Sequence, residues 1–178
     1  MGFIRYYQKG CDVKLVDKQR SLLMKLINVI LLLASKMKLA SISNFMSGYV
    51  TTIGKSIYST PVWTPDMRAK PIVVHELAHV EQWSFKYAMK YIFSPKFRLR
   101  AESISIQAEM LCFPENFRNY SQLEARALRL YNYGIQVYPA MKELRERQKE
   151  VESGTPILAA QKVFVKFKGW KSEYPNAV

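Results

Sequence analysis

The sequence predicts a mostly helical α+β fold, and three observations carry that prediction. Apolar residues recur at helical spacing over most of the chain, punctuated by Pro, Gly and Ser at intervals that suit helices of roughly 8–20 residues. One run of β-branched and aromatic residues around a Gly-Lys pair reads as a β-hairpin. The 178 residues, 49% hydrophobic and 13% aromatic, amount to one ordinary domain with enough apolar material for a core.

The elements follow in order. Residues 1–20 are polar and irregular and read as an N-terminal arm. Ser21 to about Leu39 reads as a helix, with Leu22, Leu26, Val29, Ile30 and Leu33 on one broad face. Lys25 and Asn28 interrupt its apolar run, which favours a buried or surface-lying helix over a membrane anchor. No apolar stretch reaches the roughly 18 residues a span needs, so no transmembrane segment is expected. No small-residue cleavage site follows the run either, which argues against a cleavable signal peptide and favours a cytoplasmic or virion-associated protein. Gly48–Ile53 and Ser56–Tyr58 flank Gly54-Lys55 as hairpin strands, and Pro61 and Pro65 mark a loop. Pro71 opens a helix expected to run to about Phe93, where Pro95 stops it. A second covers Lys96 to Cys112 before Pro114. Ser121 and Glu124 have capping-box spacing and open a third, ending near Gly134. Pro139 starts a fourth, charged helix ending before Gly154. From Lys162 to Trp170, charged and apolar residues alternate, which reads as a strand or extended arm. The domain plan is therefore an arm over 1–20, a folded domain over 21–153 and an extended C-terminal arm over 154–178.

The charges are lopsided. A formal +13 favours a polyanionic neighbour: nucleic acid, an anionic membrane surface or an acidic protein. Residues 1–65 hold nine Lys or Arg against Asp12 and Asp17, and residues 82–101 hold Lys86, Lys90, Lys96, Arg98 and Arg100 with no acid. No basic block matches a nucleic-acid motif, so a solvated basic surface is the simpler reading. Cys11 and Cys112 are too few for a disulfide framework or a Cys-rich metal site. No Gly-rich phosphate loop is present, and no histidine is spare to act as base in a Ser/His/Asp set.

Both histidines in the chain, His75 and His79, lie in PIVVHELAHVEQW, residues 71–83. His75-Glu76-Leu77-Ala78-His79 is an HExxH motif, which on a helix puts both imidazoles on one face, able to share one metal ion. Zinc suits two neutral imidazoles and a carboxylate, with a fourth position left for water. It lowers the pKa of that water toward neutrality, and Glu76, beside the first ligand, is placed to take the proton as general base. With no histidine left, the third ligand falls to a carboxylate. Glu102 and Glu109 in RLRAESISIQAEM are the candidates: two turns apart on one face, one can ligate while the other supports. Tyr120, Tyr131 and Tyr133 are candidates to steady an oxyanion, although packing explains tyrosines more simply. Trp83 and Tyr87 extend the HExxH face as core residues.

The order TTIGKSIYSTPVW, HELAHVEQW, RLRAESISIQAE resembles small metallopeptidase-like domains of the gluzincin branch of zincins, common in bacterial and phage genomes. The likeness covers roughly residues 48–112. In those proteins a hairpin precedes the HExxH helix, and a second helix carries the Glu ligand in an Arg-x-x-x-Glu pattern. Arg98 matches that Arg and Glu102 the ligand, whereas Ile104 or Ile106 stands where a second acid is common. The resemblance implies a zinc-dependent hydrolase, a peptidase acting on a peptide or protein substrate, with Val50–Ile53 as an edge strand for an extended peptide. The competing reading is a structural or assembly protein, such as a phage particle component, that keeps this fold and binds partners through its basic terminal arms.

Overall fold

The computed structural model describes residues 3–8, 11–36, 46, 50–59, 71–131 and 134–173. Among them are seven α-helices and a sheet of four strands, so the mostly helical α+β class holds. The chain forms two compact units, Met1–Met67 and Arg68–Val178.

The first unit holds β1 (Phe3–Gln8), β2 (Cys11–Asp17), α1 (Leu22–Lys36), β3 (Thr51–Ile53) and β4 (Ser56–Ser59). Its sheet order is β1-β2-β4-β3, with β1/β2 and β3/β4 antiparallel and β2/β4 parallel. The expected hairpin is therefore present, turned at Gly54, whose φ of 60° lies in the left-handed region that favours glycine. The N-terminal arm is a correction. Phe3–Gln8 is dense in aromatic residues and Cys11–Asp17 alternates Val13 with Lys14, so the two pair from Phe3↔Val16 to Gln8↔Cys11. The run 48–49 and the Pro61–Pro65 loop lie outside the described residues.

Helix α1 starts at Ser21, whose Oγ accepts from Met24 N at 3.3 Å. Met24 is fully buried with Tyr58, and Ile27, Val16 and Ile53 pack around them. Those two α1 residues project opposite the Leu22/Leu26/Ile30/Leu33 face, which is exposed. The helix thus lies on the surface, apolar face outward.

The second unit comprises α2 (Pro71–Gln82), α3 (Phe85–Phe93), α4 (Pro95–Cys112), a 3₁₀ turn (Pro114–Phe117), α5 (Tyr120–Tyr131), α6 (Val137–Glu152) and α7 (Leu158–Glu173). Helix α4 is central, packed against α2, α3, α6 and α7. Every residue from 101 to 110 is buried, including Glu102, Ser103, Ser105, Gln107 and Glu109. Burying such groups is tolerated only where partners meet them. Gln107 shows how: its Nε2 donates to Arg147 O and Glu150 Oε2, and its Oε1 accepts from Ile157 N. Ile106, Met110, Leu123, Leu130 and Leu144 anchor the apolar core between α4, α5 and α6.

Two further expectations need correction. The helix opened by Pro71 does not run to Phe93. Ser84 is extended (φ −156°, ψ 164°) and its Oγ caps Tyr87 N at 3.0 Å, ending α2 and starting α3. Ser94 repeats the device ahead of α4, accepting from Phe97 N. The C-terminal segment is a helix, not a strand. Ala160, Val163 and Phe167 are buried at helical spacing while Val165 is 69% exposed, so the 3.6-residue period overrides the local alternation.

Candidate metal centre

Three helices of the second unit build the site. The i, i+4 spacing on α2 brings both imidazoles to one face, and the Nε2 atoms of His75 and His79 stand 3.2 Å apart. Glu102 reaches in from α4, its Oε2 lying 3.0 Å from His75 Nε2 and its Oε1 3.5 Å from His79 Nε2. These three residues form a group whose ligand atoms could hold one metal ion. Two imidazole nitrogens pointing at each other beside a carboxylate form a donor set that fits a cation.

The remaining imidazole nitrogens are held from behind. His75 Nδ1 lies 2.8 Å from Glu109 Oε1, and a carboxylate can only accept, so Nδ1 carries the proton and Nε2 is turned to the ligand position. Arg126 from α5 donates to the other oxygen of Glu109. His79 Nδ1 lies 2.8 Å from the Tyr87 hydroxyl, with Ser105 Oγ at 3.4 Å. Tyr91, stacked on Tyr87 with ring centroids 5.9 Å apart, donates its hydroxyl to Glu102 Oε1. Arg98 donates to the carbonyls of Tyr91 and Ile92, at 2.9 and 2.7 Å, and so fixes the end of the helix that carries these phenols.

Both sequence candidates on α4 thus enter the site, with different contacts: Glu102 meets both Nε2 atoms, and Glu109 meets only the far side of His75. Glu109 also supplies the outer carboxylate that Ile104 and Ile106 do not; both isoleucines are buried. Glu76 is buried on α2, near enough to Tyr87 that its charge, with that of Glu102, adds to burial in raising the phenol's pKa.

Glu102 and Glu109 are both buried beside His75, and Arg126 pairs with Glu109. Burial pulls the His75 pKa down, but bonds to Glu102 and Glu109 outweigh it and hold the imidazole well above its ordinary range. Burial raises Glu102, but the charge of His79 and bonds from both imidazoles take it well below the usual carboxylate range. Solvent reaches His75 most, at 18% side-chain exposure against 4% for Glu102, so the ligand position is not sealed.

The other tyrosine candidates stand apart from this set. Tyr120 and Tyr131 are exposed, and the Arg145 guanidinium covers the Tyr120 ring at 5.1 Å. Tyr133 lies outside the described residues. Sequence reasoning missed Tyr91, Arg126 and Ser105 and assigned Tyr87 to the core. One signal was available: Tyr87 and Tyr91 continue a four-residue step from His79. No protein-family model, no curated protein and no solved structure matches the chain, so its geometry carries the reading.

Proposed function

We propose that the chain is a zinc-dependent hydrolase with a zincin-like site, acting on the amide bond of a peptide or protein. His75, His79 and Glu102 hold the ion, and Glu76 is the general base. One observation carries this reading: two Nε2 atoms and one carboxylate converge at 3.0–3.5 Å, and both Nδ1 atoms are engaged behind them. Ligand atoms about 2.0–2.1 Å from a tetrahedral zinc ion stand roughly 3.3 Å apart, which those spacings bracket.

When bound, zinc supplies a Lewis acid that makes water nucleophilic at neutral pH. The chain's own residues do the rest. Glu76 adjoins a ligand in sequence and accepts the water's proton at its carboxylate, then returns it to the leaving amine. Glu109, held by Arg126, keeps the proton of His75 on Nδ1 and so keeps Nε2 turned to the ion. Tyr87 and Tyr91 orient His79 and Glu102 in the same way. Three protein ligands, with solvent access at His75, leave a coordination position for substrate chemistry, whereas structural zinc sites are closed by four.

Cleavage of a mixed peptide library by zinc-loaded protein tests this reading. Turnover should fall by about 10²–10⁴-fold in Glu76→Gln while bound zinc stays at the wild-type level. Equal turnover in the two proteins would refute it.

A further inference from the structure

Helix α3 has three faces. Tyr87 and Tyr91 point inward to the ligands. Phe85, Met89, Ile92 and Phe93 form an outward stripe, with Phe85 81% and Phe93 73% exposed. Lys86 and Lys90 are exposed along its edge. In the other unit, α1 repeats the pattern: Met24 and Ile27 pack on the sheet, while Leu22 (82% exposed), Leu26, Ile30 and Leu33 face solvent beside Lys25, with Arg20 just ahead. Neither helix contains an acid, and none occurs between residues 18 and 65 or between 82 and 101. Contiguous apolar side chains left in water have no stabilising role in an isolated fold and mark a binding surface.

We propose that each of these faces, taken within its own unit, binds an anionic lipid bilayer, the helix lying in the interface with its apolar stripe among the acyl chains and its lysines level with the phosphates. Charge selects this occupant. Nucleic acid would use the lysines and leave the phenylalanines and leucines in water. A second copy would set one lysine-edged face against another in a chain of net charge +13. Spanning is not the mode, because no described helix is long and apolar enough to cross a membrane. The proposal does not depend on a metal at the His75 site.

Co-sedimentation of the full chain with phosphatidylcholine vesicles, with and without phosphatidylglycerol, tests it. Partitioning should be at least about tenfold stronger on the anionic vesicles, and salt should weaken it without abolishing it. The double variants Phe85→Gln/Phe93→Gln and Leu26→Gln/Ile30→Gln should each lower partitioning about tenfold while melting like wild type, since these side chains are exposed. Lys86→Ala/Lys90→Ala gives an independent check and should lower anionic binding alone. Equal recovery with both vesicle types overturns the proposal. So does binding that the glutamine variants leave unchanged, or a lipid-free dimer that they abolish.

Discussion

His75 has a carboxylate at each ring nitrogen, Glu109 at Nδ1 and Glu102 near Nε2, and that sets how the site responds to pH. Its pKa is raised above 6.5 in the folded chain, so in metal-free protein its share of stability is complete below that ordinary value. That share is lost as pH rises through the raised pKa. Glu102 has the opposite sign: lowered from 4.5, its share is present above that value and lost as pH falls through the lowered pKa. Chelator-treated protein should therefore melt highest between the two limits, and melting curves across pH check this; a flat profile would contradict it. A metal ion must displace the proton at His75 Nε2, so zinc uptake at neutral pH should release protons. Calorimetry in buffers of different ionisation enthalpy reads that release. Glu109→Gln keeps the shape but removes the charge that holds Nδ1–H, and chelator competition should show zinc affinity reduced about 10–100-fold.

At the scale of elements, Ser84 separates the helix that carries the histidines from the helix that carries the tyrosines. Ser84→Ala removes the cap on Tyr87 N and should cost about 1 kcal/mol in chemical denaturation. Helix α7 gives a sharper contrast. Val165→Lys should change stability by no more than about 0.5 kcal/mol, because that side chain faces solvent. Val163→Ala, at a fully buried position, should cost about 1–2.5 kcal/mol. A strand reading makes both inward and equally costly.

These elements also show what the sequence discloses. The HExxH pair was legible because i, i+4 spacing on a helix is a local fact, and Glu102 and Glu109 because acids near the motif are few. The hairpin followed from its Gly-Lys turn. Helix α7 was misread because the short alternation of Lys166 and Lys168 with Val165 and Phe167 fits both periods until burial at Ala160, Val163 and Phe167 decides. Tyr91 left only the faint signal of its four-residue step from Tyr87, and Arg126 left none, because their roles arise where α3 and α5 meet α4.

For the whole molecule, positive charge is in excess, while Glu102 and Glu109 are buried beside the two histidines of the second unit. Lys86 and Lys90 edge the apolar face of α3 and Lys25 that of α1, while Glu102 and Glu109 meet His75 inside the second unit. The Nε2 atoms of His75 and His79 and the Glu102 carboxylate form a donor set that fits one cation, which makes metal occupancy the central claim. Metal analysis of protein purified without chelator, alongside His79→Ala and Glu102→Ala, tests it most directly. About one zinc ion per wild-type chain, with a large loss in both variants, is the predicted result. Wild-type protein without metal, or variants that retain the wild-type amount, would contradict it.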